Sequence, residues 1–227
     1  MHLSALILTI THFGSVVLLA LGALLPIVNP LGAAPIFLSM TTGLSTDQRN
    51  RMAKAVAINS FLLLLASTLI GAYVLDFFGV SIPAVQVAGG IVVCATSWQL
   101  LNGPITLPAP ERGDAATYTP EYMGRRAFYP LTMPLTVGPG SISVALTLGA
   151  NPAPGFRSLL ATAVAHSLGI LIVAATVFLC NRYAVQILQK MGAIGASVVM
   201  RLSAFILLCI GVQILWNGIH ALVTGIM

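Results

Sequence analysis

Charged residues are scarce in this chain. Asp, Glu, Lys and Arg make up 7% of its 227 residues, whereas 58% are hydrophobic and the mean hydropathy is +0.99. Soluble domains carry about 25% charged residues, so the composition excludes a soluble globular protein and predicts a protein of the lipid bilayer. The net charge of +5 does not predict a nucleic-acid partner, because the basic residues lie in short loops and not in one patch.

Carboxylates are missing where membrane chemistry would use them. Asp76 ends the second apolar segment, and no Asp or Glu lies deep in any of the segments. Divalent-cation transport requires hard oxygen ligands, so it is disfavoured, as is a carboxylate-based proton pump. The chain also has no His-Glu-x-x-His, no Gly-x-Ser-x-Gly and no paired aspartates. We therefore expect no enzymatic activity, no cofactor and no metal site.

Cysteines and N-terminal charges are also few. Cys94, Cys180 and Cys209 each sit inside an apolar run and are predicted to be small buried side chains, not a disulfide framework or a metal site. No Lys or Arg precedes Arg49, so the N-terminus lacks the charged start of a cleavable signal peptide. The first apolar stretch is therefore predicted to remain as a membrane helix.

Six apolar segments are long enough to cross a bilayer, which takes about 20 residues. Lys and Arg concentrate in the loops that follow the first, third and fifth segments. By the positive-inside rule these loops are cytoplasmic, so both termini are predicted on the outer, periplasmic side of the cell inner membrane. The predicted spans are 13–40, 51–75, 82–102, 127–148, 157–181 and 195–223.

The first and fourth spans share a pattern of prolines and glycines. The first contains Pro26-Ile-Val-Asn29-Pro30-Leu-Gly32-Ala-Ala-Pro35, and all three of its prolines recur 104 positions later, at Pro130, Pro134 and Pro139. Proline removes an amide donor and collides with the preceding helical turn. Paired broken helices in corresponding halves of a membrane protein are the best sequence pointer to a transporter's substrate site. The alternative is that these prolines only kink tightly packed helices.

The duplication extends to the other spans. Cys94 and Asn102 of the third span align with Cys209 and Asn217 of the sixth, at an offset of 115. Three spans per half would place the second half upside down in the membrane. We therefore predict an all-α fold of two inverted three-helix repeats, with the first helix of each repeat broken at mid-membrane. The predicted units are a first repeat, 1–103, a cytoplasmic linker, 104–126, and a second repeat, 127–227.

The two breaks are the predicted binding site. A helix that restarts after a break presents unpaired amides and the positive end of its dipole, which suits a carboxylate. In an inverted repeat the breaks should face each other, and we predict that they form a small polar cavity for a compact zwitterion. The predicted substrate-binding residues are Asn29, Gly32, Thr132, Thr136, Gly138, Gly140 and Ser141.

Three further polar residues lie inside predicted spans. Arg201 is interpreted either as a gate or carboxylate partner, or as a side chain that reaches the cytoplasmic headgroups. His166 lies near mid-depth and is a candidate for a proton relay or for a tie between helices. Asn59, which aligns with His166, is more simply explained as a tie between helices.

These motifs resemble the MarC family of membrane proteins. The family's Asn-Pro-x-Gly-x-x-Pro segment is matched from Asn29 to Pro35, and its Pro-x-Thr-x-Gly-Pro-Gly segment is matched from Pro134 to Gly140. The last span is similar as well, with Arg201-Leu-Ser followed by Asn217-Gly218. The resemblance implies a six-span inner-membrane protein of two related halves. Because some members export glycine, alanine or threonine, it also implies an exporter of small neutral amino acids.

The function predicted from the sequence is therefore export of glycine, alanine, serine or threonine by alternating access of the two halves. The coupling is left open between protons, sodium and facilitated efflux. Efflux of drugs or other small metabolites is the second interpretation, although only 7% of the residues are aromatic and the breaks carry small polar groups. A non-transporting scaffold of the cell envelope is the third.

Overall fold

The computed structural model describes residues 2–102, 120–150 and 156–225. These residues form helices joined by short turns. In chain order the elements are α1 (His2–Val28), α2 (Pro30–Met40), α3 (Thr46–Phe77), α4 (Ile82–Asn102), α5 (Pro120–Arg126), a π-helical segment termed π1 (Ala127–Thr136), α6 (Pro139–Gly149), α7 (Phe156–Arg182) and α8 (Ala184–Thr224).

Four of the described helices are long and apolar enough to cross a membrane: α3, α4, α7 and α8. Two further spans result if each bent pair of helices is taken as one span. The first pair joins α1 to α2 with a bend of 40°, and the second joins α5 and π1 to α6 with a bend of 72°. These bent pairs are the first and fourth predicted spans, so the structure confirms a helical membrane protein whose two broken segments are interrupted where the prolines occur.

One boundary differs from the prediction. The second broken span starts at Pro120, inside the predicted linker, because Pro120 occupies the first turn of α5 and Glu121 pairs with Arg125 one turn later at 2.9 Å. The candidate span Ile194–Thr224 of α8 agrees with the predicted span 195–223, and it follows a break at Gly192, whose φ of 65° lies in the left-handed region that glycine adopts readily. Residues 104–119 of the predicted linker, which include Pro104, Pro108 and Pro110, lie outside the described residues.

Local signals explain where α3 begins. The Ser45 hydroxyl accepts a hydrogen bond from the Gln48 amide at 3.2 Å, and the Gln48 side chain accepts one from the Ser45 amide at 3.0 Å. This reciprocal capping box satisfies two amides that a helix start leaves without partners. The start of α3 at Thr46 therefore follows from the sequence pattern.

The third helices of the two halves, α4 and α8, form the most extensive contact between elements. A Cβ placed on Gly90 would lie 2.8 Å from the Cα of Leu215, and one on Gly211 would lie 2.8 Å from the Cys94 sulfur. Small residues let the backbones of membrane helices approach closely. The two helices run antiparallel, because Gly90 meets Leu215 whereas Cys94, later in α4, meets Gly211, earlier in α8.

Other contacts between a helix of the first half and a helix of the second half have equivalents with the roles of the halves reversed. The second helices α3 and α7 pack on each other, α2 packs on α7 and α8, and α6 packs on α3 and α4. Large apolar side chains on the outside of the bundle, such as Ile70 and Leu202, are exposed as expected for a surface that faces lipid. The prediction of three buried cysteines is wrong for Cys209, which is exposed; Cys94 is half-buried and Cys180 is buried. Gly211, and not Cys209, lies on the face of α8 that meets Cys94.

Candidate functional site

The first break is a single residue. Asn29 adopts the left-handed conformation with φ 46° and ψ 61°, and α2 restarts at Pro30. A proline disfavours the right-handed helical conformation for the residue before it, and Asn tolerates the left-handed region better than most residues. The sequence Asn29-Pro30 therefore ends α1 and turns the chain by 40° into α2.

Asn29 also caps the helix that follows it. Its side-chain oxygen accepts a hydrogen bond from the Gly32 amide at 3.1 Å, and its carbonyl oxygen accepts one from the Ala33 amide at 3.0 Å. A Cβ on Gly32 would lie 2.8 Å from the side-chain carbon of Asn29, so glycine gives the cap its room. These two predicted substrate residues are thus engaged with each other, and the start of α2 is largely satisfied from within.

The second break is longer and uses side-chain hydroxyls. Thr132 donates to the carbonyl of Ala127 and Thr136 donates to the carbonyl of Leu131, each at 2.7 Å. Pro130 and Pro134 contribute no amide donors in this segment, and buried membrane backbone must find partners within the protein. The two buried threonines therefore supply hydrogen bonds to the backbone of π1, which accounts for their polarity structurally.

The start of α6 is open where that of α2 is capped. Gly138 is extended and no side chain caps α6. The first amides of a helix have no hydrogen-bond partners within it. At the start of α6, Pro139 has no amide hydrogen and the Ile142 amide donates to the carbonyl of Gly138. The amides of Gly140 and Ser141 are therefore the ones without a backbone partner. The Ser141 hydroxyl donates to that same carbonyl at 2.9 Å.

The end of α1 approaches the start of α6. A Cβ on Gly140 would lie 3.6 Å from the terminal carbon of Ile27, which is two residues before Asn29, and would overlap the side chain of Val93 on α4. Ile27, Val28 and Val137 are buried in one apolar cluster. The end of α1 and the start of α6 therefore meet in an apolar setting.

The end of α1 carries the opposite polarity to the start of α6. In a continuous helix the carbonyl of Pro26 would accept a hydrogen bond from the amide of residue 30, but residue 30 is proline and has no amide hydrogen. The Gly32 amide, which would bond the carbonyl of Val28, donates to the Asn29 side chain. Carbonyl oxygens at a helix end bear the negative end of the dipole. The side chain of Ile27, at the carbonyl end of α1, thus lies against Gly140 at the amide end of α6.

The remaining predicted residues are Arg201, Asn59 and His166. The Arg201 guanidinium is exposed and donates to the carbonyl of Leu101, in the last turn of α4, at 3.0 Å. Asn59 is half-buried and the described residues offer it no hydrogen bond. His166 is 6% exposed and lines a separate cavity between α3, α6 and α7, of about 280 Å³.

Two threonines that line this cavity were not predicted from the sequence, namely Thr68 of α3 and Thr162 of α7. The spacing of Thr162, one helical turn before His166, was the available signal, because residues i and i+4 share a helix face. No comparable pattern marks Thr68, which reaches the cavity only through the packing of α3 on α7.

Comparison with known proteins agrees with the sequence motifs. The model of the MarC family integral membrane proteins matches residues 14–223. The UPF0056 membrane protein MJ1677 of Methanocaldococcus jannaschii is 32% identical over 204 residues, which cover 89% of this chain and 95% of that protein. The UPF0056 inner membrane protein MarC of Escherichia coli O1:K1 is 31% identical over 205 residues, which cover 88% of this chain and 92% of that protein.

No solved structure matches this chain. The family match covers both breaks and every predicted span, and the similarity to the archaeal and bacterial relatives extends over nearly the whole of each chain. The chain therefore belongs to the MarC family of integral membrane proteins.

Proposed function

We propose that this protein is an inner-membrane carrier that exports small neutral amino acids of the glycine, alanine, serine and threonine type. The observation that carries the proposal is the meeting of two helix ends of opposite polarity at the paired breaks. The start of α6 offers the amides of Gly140 and Ser141, and the end of α1 offers carbonyl oxygens. A zwitterion fits this pair, with its carboxylate at α6 and its ammonium group at α1.

The surroundings favour a ligand without net charge. Ile27, Val93 and Val137 border the meeting point, and the described residues of both breaks include no charged side chain between Ala127 and Gly149 or between Phe13 and Met40. A buried charge is expensive unless it is paired. A ligand that carries both charges itself brings its own compensation, whereas a cation or an anion alone does not.

The close packing also limits the size of the ligand. Gly140 has no space for even one added carbon before Val93 is met. A ligand at the α6 amides therefore has to be compact unless the helices move apart. This favours a small amino acid over a large apolar drug.

The relation between the halves supports transport by alternating access. Antiparallel packing of α4 on α8, and of the cavity-lining ends of α3 and α7, is the arrangement that two inverted repeats require. We propose that the halves rock about the breaks, load the substrate from the cytoplasm and release it outside. The bacterial relatives support a location in the inner membrane, because they are named inner membrane proteins and are similar to this chain across both halves.

Counterflow in proteoliposomes tests the proposal. Vesicles that contain the purified chain are loaded with unlabelled glycine, alanine, serine or threonine, and uptake of the labelled amino acid is measured. We expect exchange by the wild type and at least a tenfold loss in Gly140→Ala, since about 1.4 kcal/mol of lost affinity is tenfold.

Gly22→Ala is the control, because Gly22 lies in the other broken span and a Cβ there meets nothing within 4 Å. Folding of each variant is checked by its elution profile and its thermal unfolding. Absence of exchange by folded wild type with all four amino acids would overturn the substrate class. Full exchange by folded Gly140→Ala would instead overturn the assignment of the site to the α6 amides.

A further inference from the structure

The cavity between α3, α6 and α7 reaches from the end of α3 into the middle of the bundle. Asp76, in the last turn of α3, is exposed, whereas Thr68 on α3 is 3% exposed and His166 on α7 is 6% exposed. Thr68 and Asp76 are eight positions apart, which is roughly 12 Å of helix at about 1.5 Å per residue. Asp76 thus marks the mouth of the cavity, and Thr68 and His166 mark its inner end.

Two polar side chains at the inner end have no partner in the described protein. His166 makes no hydrogen bond, and the Thr162 hydroxyl is buried without one. The Thr68 hydroxyl donates to the carbonyl of Leu64 at 2.9 Å and keeps its acceptor capacity. A buried polar group without a partner costs about 1–3 kcal/mol, so the Thr162 hydroxyl favours a hydrogen-bonding molecule inside the cavity.

Water is such a molecule. A cavity of 280 Å³ holds about nine water molecules at about 30 Å³ each. A hydrogen-bonded chain of these water molecules would connect the exposed carboxylate of Asp76 to the buried imidazole of His166. The interpretation of His166 as a tie between helices has no hydrogen bond to support it in the described part of the chain.

Few titratable groups surround His166. Across the cavity α3 contributes Asp76 and Tyr73, and α6 contributes none. The described side chains of α1 and α2, which also pack on α7, include no titratable group. On α7 itself the side chain of Arg157 lies outside the described part, and on α8 Arg201 is engaged with the carbonyl of Leu101. The imidazole is therefore the buried proton acceptor of this cavity.

We propose that His166 is the proton-binding site of this protein and that the cavity is the water-filled path by which protons reach it from the outer side. A proton from the outer water binds a free imidazole nitrogen, and the resulting imidazolium releases the same proton to the cytoplasm when the carrier inverts. Imidazole exchanges its proton in the physiological pH range. The inference rests on the proposed function, because it makes the export of a neutral amino acid an exchange for an inward proton.

Access to the cavity is tested without any transport assay. Cys94, Cys180 and Cys209 are replaced by alanine, and a single cysteine is introduced as Ala163→Cys, which lines the cavity, or as Ala165→Cys, which is 1% exposed on the same helix and does not line it. A membrane-impermeant methanethiosulfonate is added to intact cells. We expect modification at 163 and at least tenfold slower modification at 165. Equal rates, or modification at 163 only from the cytoplasmic side, would overturn the outer path.

Coupling is tested in the same proteoliposomes as counterflow, with the membrane potential held at zero. Each pH unit across the membrane should support about a tenfold gradient of amino acid, since one unit corresponds to about 1.4 kcal/mol. In His166→Gln the ratio of the amino-acid concentrations on the two sides of the membrane should be about 1. Ser167→Ala, whose hydroxyl only donates to the carbonyl of Ala163, should keep it near the wild-type value.

The outcomes separate the two proposals. Counterflow without any effect of a pH gradient would leave the amino-acid carrier standing and overturn the role of His166. If the wild type shows no counterflow, the carrier proposal fails, and NMR titration of His166 in nanodiscs decides the remaining question. An imidazole that titrates with the bulk pH, and exchanges its proton more slowly in Ala163→Leu, would sustain proton access through the cavity, whereas one that does not titrate between pH 5 and 8 would end it.

Discussion

The two breaks share their prolines but solve the same physical problem differently. In the first, one residue in the left-handed conformation interrupts the helix, and the side chain of that residue, Asn29, caps α2. In the second, the backbone of π1 is extended at Tyr129 and Met133, two threonine hydroxyls bond the backbone, and α6 starts without a cap. The difference shows that duplicated sequence patterns produced one closed helix start, with a side-chain cap, and one open helix start, without such a cap.

The largest expected effect separates the glycines of the two breaks. Gly140→Ala forces the start of α6 away from Val93 and Ile27 and should weaken amino-acid affinity at least about tenfold, whereas Gly32→Ala meets only the Asn29 side chain and should change affinity less than about threefold. Binding is measured by competition in the counterflow assay. Equal losses of affinity in the two folded variants would break the distinction between an open and a closed start.

The second effect concerns the threonines of π1. Thr136→Val removes the hydroxyl that bonds the carbonyl of Leu131 and should destabilise the protein by about 1–3 kcal/mol, because that carbonyl is left buried without its donor. Thr136→Ser retains the hydroxyl and serves as the control. The difference is measured by thermal or denaturant unfolding in detergent. A Thr136→Val protein as stable as Thr136→Ser would show that the hydroxyl has another purpose.

The third effect concerns the cap of α2. Asn29→Ala removes the acceptor for the Gly32 amide and should cost about 1 kcal/mol. Asn29→Ser keeps an acceptor oxygen without adding a charge and should cost less. Both variants are compared by the same unfolding measurement. If Asn29→Ser is the less stable of the two, the side chain does not act mainly as a cap, and the first break resembles the second more than the structure indicates.

The smallest effect is expected away from both breaks. Arg201→Gln removes an exposed cation from the end of α4, where its attraction to the carbonyl of Leu101 contributes less than about 1 kcal/mol. Counterflow affinity should remain within about twofold of the wild type, with Lys190→Gln as a second surface control. A tenfold loss of affinity confined to Arg201→Gln would restore the interpretation of this residue as a gate or a carboxylate partner.

Several features were predictable because they depend on local chemistry. The positions of the breaks follow from Pro30 and Pro134, the start of α3 follows from Ser45 and Gln48, and the limits of α4 follow from its apolar length. The start of α5 at Pro120 was marked by a proline suited to a first helical turn, although the predicted span began seven residues later. Such signals act over a few residues, so the sequence displays them directly.

The roles of the site residues were less predictable. The sequence marked Asn29, Thr132 and Thr136 as polar groups for a substrate, yet their hydrogen bonds go to backbone one or two turns away. A polar side chain in a membrane span has several available partners, and the sequence does not say which is nearest. The exposure of Cys209 has the same origin, because the rotation of α8 is set by the glycines that meet α4.

By itself the sequence determined that the chain is helical, lies in the membrane and breaks its helices at two related places, because apolar length and the missing amides of proline act locally. Tertiary structure alone decided that the end of α1 meets the start of α6, that α2 is closed and α6 open, and that His166 faces a cavity with Thr162 and Thr68. These features depend on which helix faces pack together, and that is fixed by the combined fit of small and large side chains across the bundle.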